Sequence, residues 1–243
     1  MNTFFISDLH LCNERPQTTA LFNQFLGDIA GSAKALYILG DLFEYWLGDD
    51  QLDHDPLAQA IARSLSAVSH AGTRVHFMHG NRDFLIGERF CREAGLNLLD
   101  DPTSIAVDGK SLLLMHGDTL CTDDVAYQEF RHQVRDPSWQ AAILAKPYAE
   151  REALARTIRS RSDVEKSMKA DAIMDVNDGT VAATLQTHSY PTLIHGHTHR
   201  PAHHEHLVDG HRCERWVLAD WHDTGAALVH SPAGFAVHTI SAP

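Results

Sequence analysis

Thr192-Leu193-Ile194-His195-Gly196-His197-Thr198-His199 is the stretch that decides how this chain reads. A short apolar run ends in three alternating histidines, with a glycine that lets the backbone turn. The same grammar occurs four times upstream. Thr3 to Ser7 runs into Asp8 and His10, and Ala35 to Leu39 runs into Gly40-Asp41. Val75 to Met78 runs into His79-Gly80-Asn81-Arg82-Asp83, and Ser111 to Met115 runs into His116-Gly117-Asp118. The runs are rich in Ile, Leu, Val and Phe and lack clean alternation, the pattern of strands buried on both faces.

Helical patterns lie between the runs. Thr18 to Ile29 places Leu21, Phe22, Phe25, Leu26 and Ile29 on one helix face. Pro56 to Ala71 opens with proline and closes before Gly72. Strand, helix, strand predicts a layered α/β fold, whose ligands gather at the carboxyl ends of the strands. Every polar cluster above falls at such an end. Ser104 to Val107 and Trp216 to Ile240 read as further strands, with turns at Gly210, Gly225 and Pro232-Ala233-Gly234. Several C-terminal strands predict a second sheet. The expected architecture is therefore a sandwich of two sheets flanked by helices.

Each cluster offers ligand atoms. Asp8 and His10, two apart on an extended segment, are expected to point the same way. The Asp41 carboxylate can bridge two cations. Asn81 supplies a neutral carbonyl oxygen, and the Arg82 guanidinium suits a phosphate. His116 adds an imidazole, and His195, His197 and His199 are expected on one side of their strand end. Any one cluster has an ordinary alternative: a turn residue, a surface base or a satisfied interior histidine. Five in succession point to one site. Mixed oxygen and nitrogen donors without cysteine suit Mn²⁺, Fe²⁺ or Zn²⁺ in a reactive rather than a structural site.

Composition sets the outer bounds. The chain has 243 residues, 44% of them hydrophobic and 21% charged, enough for a core without disulfides. A net charge of -12 disfavours nucleic acid as a partner. Cys12, Cys91, Cys121 and Cys213 match no zinc ribbon and no redox pair, so reduced thiols are expected. The start, Met1 to Asp8, has no basic region and too short an apolar run for a secretory signal. No stretch is long enough to span a bilayer. A cytoplasmic location with at most peripheral membrane contact is expected, and no obligate protein partner is evident.

Residues from about 125 to 176 break the rhythm. They look helical throughout, punctuated by Pro137 and Pro147. Within 131–169, nine Lys and Arg stand against five Asp and Glu, a local excess of four positive charges in an acidic chain. Trp139, Ile143, Leu144, Tyr148 and Leu154 add apolar surface. The stretch reads as a helical cap inserted into one domain spanning 1–243. An amphipathic helical pair with a solvated charged face would show the same composition.

Asp-x-His, Gly-Asp-x-x-Glu, Gly-Asn-Arg-Asp, a lone His before Gly-Asp, and Gly-His-x-His together resemble the calcineurin-like metallophosphoesterase superfamily, from Asp8 to His199. The resemblance implies that Asp8, His10, Asp41 and His199 hold one divalent ion. It implies that Asp41, Asn81, His116 and His197 hold the other, with Asp41 bridging; Mn²⁺ is the expected metal. His195 carries no ligand role by this analogy. The superfamily usually has His after the Asn of its third block, and Arg82 stands there instead, which favours electrostatic clamping over acid catalysis.

The wording of the blocks narrows the resemblance further. Residues 7–12, 37–44, 79–85, 115–124, 172–177 and 195–201 are similar to those of the UDP-2,3-diacylglucosamine diphosphatases, a family of lipid A biosynthesis. This implies hydrolysis of UDP-2,3-diacylglucosamine to UMP and the acylated sugar 1-phosphate, at the cytoplasmic face of the inner membrane. It also implies substrate contacts from Asn81, Arg82, Asp124, Ser162, Lys166, Lys169 and His197, under a cap that covers the acyl chains. Another dinuclear metallophosphoesterase, such as a nucleotide pyrophosphatase or phosphodiesterase, would share the metals without needing that cap. A non-catalytic scaffold would be expected to lose ligands, and all seven are kept.

Overall fold

Ordering by chain, the first half alternates short strands with amphipathic helices: β1 (Thr3–Ile6), α1 (Pro16–Ile29), β2 (Ala35–Leu39), α2 (Gln51–His54), α3 (Pro56–His70), β3 (Arg74–Met78), α4 (Glu88–Ala94) and β4 (Leu96–Leu99). Then come β5 (Thr103–Val107), β6 (Lys110–Leu114), a 3₁₀ turn over Asp118–Leu120, α5 (Val125–Arg135), α6 (Pro137–Leu144), α7 (Tyr148–Met168) and α8 (Asp178–Thr187). The chain ends with β7 (Thr192–His195), β8 (Ala202–Val208), β9 (His211–Val217), β10 (Thr224–Ser231) and β11 (Gly234–Ser241). This computed structural model describes residues 1–168 and 174–241, without the side chains of 159–168.

The helices begin and end where local chemistry dictates. Pro16 and Pro56 open α1 and α3, where a missing N–H costs nothing. The Asp55 carboxylate caps α3 by accepting from the Leu57 N–H at 2.9 Å. Gly95, left-handed at φ 67°, closes α4.

Six strands form one sheet in the order β11-β10-β1-β2-β3-β4, and five form the other in the order β5-β6-β7-β9-β8. β1 to β4 are parallel, so their carboxyl ends open on one edge. β6 and β7 are parallel as well, which brings the His116 and His195–His199 loops to their own shared edge. Alternating side chains divide the strands between layers. Phe5, Tyr37, Leu39 and Met78 meet Leu112, Leu114 and Ile194 between the sheets. Ile6, Leu36, Ile38, Val75 and Phe77 face α1, α3 and α4 on the outside of the first sheet. Leu113 and Leu193 face Val181 and Leu185 of α8 on the outside of the second. The two-sheet sandwich with flanking helices is the architecture expected from the strand and helix patterns.

Three expectations need correction. The C-terminal strands do not build one second sheet: β8 and β9 join it, whereas β10 pairs with β1 and extends the first sheet antiparallel. Gly225 is no turn but lies inside β10. A Cβ there would come within 2.5 Å of the Trp221 ring, which is fully buried edge-on against Phe22 and Phe25. Glycine thus makes room for a large core side chain rather than bending the chain. Finally, α2, α4, β4, α8 and β8 were not anticipated; β8 is a histidine-rich edge strand of alternating exposure whose composition hides its β character.

Candidate metal centre

At the shared edge, the loops after β1, β2, β3, β6 and β7 converge. The His10 Nε2 lies 3.2 Å from His199 Nε2, and the latter lies 3.4 Å from Asp8 Oδ1. The Asn81 side-chain oxygen sits 3.0 Å from His116 Nε2 and 2.8 Å from His197 Nδ1. Asp41 stands between the two groups: its Oδ2 is 3.8 Å from His10 Nε2 and its Oδ1 is 3.9 Å from His116 Nε2. Ligand atoms of Asp8, His10 and His199, and of Asp8, Asp41 and His116, lie close enough together to hold metal ions. The structure thus brings together all seven side chains singled out in the sequence.

The backbone is bent to achieve this. Asp8 (φ 55°), His10 (φ 48°), Asp41 (φ 54°), His197 (φ 69°) and His199 (φ 54°) are all left-handed. Non-glycine residues adopt that region at a cost, and such strain concentrates at functional sites. Asp8 and His10 therefore do not share a side by being two apart on an extended strand, as the spacing suggested. Two left-handed turns aim them, laced by Asp8 N–H to Gly40 O at 3.1 Å and His10 N–H to Asp41 O at 2.9 Å. Close approach of the loops requires glycine: a Cβ on Gly80 would fall 2.1 Å from Asp41 Oδ1, and one on Gly196 would fall 2.2 Å from Asp8 Oδ2.

His195 corrects a second expectation. Its ring does not join His197 and His199. It is fully buried behind them, with Nδ1 2.9 Å from Gly196 O and Nε2 3.2 Å from Arg215 Nη1. Burial pushes its pKa down to about 4, so the ring is neutral.

The electrostatics call for positive charge. Burial alone would raise the Asp8 pKa, but the nearby His199, His116 and His10 rings hold it well below the carboxylate range. Against burial, Asp220 and Asp8 raise His199 to about 10, and Asp41, Asp118 and Asp8 raise His116 to about 9. Burial, with Asp83 and Asp8 nearby, pushes Asp41 up to about 7. Asp8 Oδ1 is buried without a hydrogen-bond donor although two imidazole nitrogens face it. An orphaned carboxylate oxygen among converging ring nitrogens fits a divalent cation, since a buried charge needs a partner.

Supporting groups orient these side chains, and sequence reading gave them no role. His116 Nδ1 lies 2.9 Å from Leu39 O, which directs Nε2 at the site. Asp220 Oδ2 lies 3.4 Å from His199 Nδ1, a carboxylate–histidine arrangement of the kind that fixes a ligand ring. Asp220 could have been found, for Val217-Leu218-Ala219-Asp220 repeats the run-then-acid grammar. Asp83 is fully buried and accepts from the N–H groups of Leu42 at 2.7 Å, Gly80 at 2.9 Å and Asp41 at 3.3 Å.

Two cavities open from this edge. One of about 500 Å³ is lined by His10, Asp41, Asn81, Arg82, His197 and His199, and on its far side by Asp124, Tyr127 and Arg131. The other, of about 440 Å³, presents apolar surface from Trp46, Leu47, Phe84, Leu85, Trp139, Ile143 and Leu154, with Glu14, Glu44, Asn81, Arg82, Arg151, Glu152 and Arg156 also lining it. Arg82 borders both, its Nη1 4.0 Å from Glu44 Oε1. Asp124 borders the first and caps α5 by accepting from Tyr127 N–H at 3.1 Å. The side chains of Ser162 and Lys166, and all of Lys169, lie outside the described residues.

The calcineurin-like phosphoesterase family matches residues 1–201. A protein of Aromatoleum aromaticum named UDP-2,3-diacylglucosamine hydrolase is 56% identical over 234 residues, covering 96% of this chain and 95% of its own. Proteins of the same name from Cellvibrio japonicus (48% identical, 98% of both chains) and Escherichia coli (49%, 94% of both) match similarly. A solved archaeal phosphodiesterase superposes with TM-score 0.50 over 99% of both chains at 11% identity, a likeness of fold alone. The chain belongs to the calcineurin-like phosphoesterase family and, within it, to the UDP-2,3-diacylglucosamine hydrolases.

Proposed function

We propose that the chain hydrolyses the diphosphate of UDP-2,3-diacylglucosamine, releasing UMP and 2,3-diacylglucosamine 1-phosphate. The observation that carries this reading is an apolar chamber opening directly onto the ligand cluster, with Arg82 at the junction. A phosphodiesterase acting on a small soluble substrate has no use for a cavity of about 440 Å³ with a tryptophan- and leucine-bearing wall beside the ligand cluster.

In this reading Asp8, His10, Asp41 and His199 hold one divalent cation, and Asp41, Asn81, His116 and His197 hold a second. Such a pair, Mn²⁺ in our reading, would supply Lewis acidity and bring the pKa of water towards neutrality. Arg82 binds the non-bridging phosphate oxygens and meets the charge that grows on them in the transition state. A guanidinium offers only donors and no acceptor, so this side chain clamps rather than transfers a proton. Asn81 and His197 face the same oxygens. Asp124, Ser162, Lys166 and Lys169 orient the glucosamine. The α5–α7 segment acts as the cap, and Trp46, Phe84, Leu85, Trp139 and Ile143 exclude water from the acyl chains.

Comparing release of UMP from UDP-2,3-diacylglucosamine and from UDP-N-acetylglucosamine tests the reading. The expected result is preference for the diacylated substrate by a factor of about 10³ or more in kcat/KM, abolished by chelation and restored by Mn²⁺. Equal turnover of both would point to a general nucleotide pyrophosphatase.

We further propose peripheral binding at the cytoplasmic face of the inner membrane. No helix among the described residues is long and apolar enough to cross a membrane. Val125, Phe130 and Leu144 are exposed on the basic α5–α7 segment, a combination suited to an anionic lipid surface. Co-sedimentation with phosphatidylglycerol vesicles is expected at low salt and lost at high salt; no sedimentation at low salt would refute it.

A further inference from the structure

The α5–α7 segment is docked without a shared core. Among the described residues, none of α5, α6 or α7 enters the three buried clusters that hold the sheets and outer helices together. Polar links take their place. Near the root of the segment, the fully buried Asp118 accepts from Tyr127 Oη at 2.8 Å and Arg131 Nε at 2.7 Å, and Arg135 Nη2 donates to Gly80 O at 2.8 Å. All three links involve α5. They leave α7, the far wall of the apolar chamber, to be positioned by something else.

Among the described residues, Arg151 makes that link. Its side chain is 4% exposed and reaches across to the loop before α2. Nη1 donates to Asp50 Oδ1 at 2.9 Å, Nη2 donates to Asp50 Oδ2, and Nη1 also donates to Leu47 O. The fork is bidentate, the geometry in which a guanidinium specifies position as well as affinity. Its seat is shaped for it. Gly48 is held at φ 125°, and a Cβ there would come 2.5 Å from Arg151 Nη1 and 2.7 Å from Leu144. The Tyr148 ring lies 5.6 Å below the guanidinium and packs on His54 at 4.4 Å. Leu47 and Arg151 both line the chamber, so the bond between them closes part of its wall.

We infer that the Asp50–Arg151 pair is a clasp that holds α7 over the apolar chamber and thereby sets the enzyme's selection for acylated substrate. The pair touches no reacting atom; it is a positioning device. Its carboxylate side is 42% exposed and lines neither cavity, so breaking it there frees the wall without emptying a core. The inference rests on reading the chamber as the acyl site, and the experiment separates the two.

Asp50→Ala and the milder Asp50→Asn are compared with the wild type in the full chain. By hydrogen exchange, backbone amides from Ala149 to Ile158 are expected to exchange about tenfold faster in Asp50→Ala, with β1 to β3 unchanged. With UDP-2,3-diacylglucosamine, KM is expected to rise about tenfold while kcat stays within about twofold, and Asp50→Asn falls between. A merely structural bond would lower Tm without splitting KM from kcat. Unchanged exchange in Asp50→Ala overturns the clasp. Faster exchange with an unchanged KM overturns its role in selection. Were the wild type to leave the diacylated substrate intact, the functional reading would fall, and the exchange measurement would still decide the clasp.

Discussion

Replacing Asp41 with asparagine should lower kcat by a factor of about 10³ or more, a loss of about 4 kcal/mol of transition-state stabilisation. Asp41 turns one carboxylate oxygen towards each group, Oδ2 3.8 Å from His10 and Oδ1 3.9 Å from His116. Asparagine keeps the size and one acceptor oxygen. It removes the negative charge and turns the second oxygen into a donor, which repels a cation. The Arg82 N–H, now 2.8 Å from Asp41 Oδ1, can still find the amide oxygen, so the loop should hold its shape. Folding should therefore survive while metal occupancy falls, and elemental analysis alongside kinetics checks both. A variant that retained full metal content and a kcat within about tenfold of wild type would exclude Asp41 as the bridge.

Replacing Asp83 with alanine should destabilise the fold by about 3–5 kcal/mol, the range for removing one partner of a buried polar network. Asp83 touches none of the proposed ligands' metal-facing atoms. It instead receives N–H groups from both the Asp41 loop and the Gly80 loop, namely Leu42 at 2.7 Å, Gly80 at 2.9 Å and Asp41 at 3.3 Å. Burial raises its pKa, and the Gly80 N–H and the nearby imidazoles work against that rise. Alanine would strand those donors with no water to replace the acceptor. For a chain of this length the cost translates into a Tm fall of about 10 °C, measurable by calorimetry. Because the same carboxylate ties the Asp41 and Asn81 loops together, metal affinity should fall as well. Asp83→Asn, which keeps one acceptor oxygen, should lie between. A Tm shift below about 2 °C for Asp83→Ala would show that the loops are held in register by other means.

Much of the arrangement was legible in the chain. Runs such as Ala35 to Leu39 are apolar on every position because the strand is buried on both faces, and β2 occupies those five residues. The helical stretch punctuated by Pro137 and Pro147 became α5, α6 and α7, because proline ends one helix and opens the next. The ligand types were also readable, since carboxylate, amide and imidazole each followed a strand. What local spacing misjudged was direction. Asp8 and His10 converge through left-handed turns, and His195 turns away to Arg215, which lies 20 residues later in β9. No rule of period two can foresee either, because the first depends on a strained backbone and the second on a partner from another strand.

By itself, then, the amino-acid sequence determined the layered α/β class, the order of the polar loops and the kinds of side chain they carry. These follow from short-range properties: hydrophobic periodicity, turn chemistry and donor type. Only the tertiary structure decided that β10 and β11 extend the first sheet, that Asp220 and Asp83 stand behind the converging donors, and that Arg151 of α7 pairs with Asp50 of the loop before α2. Those relations join residues distant in the chain. They are settled by which buried polar groups find partners when the layers close, a condition on the packed whole that no short stretch contains.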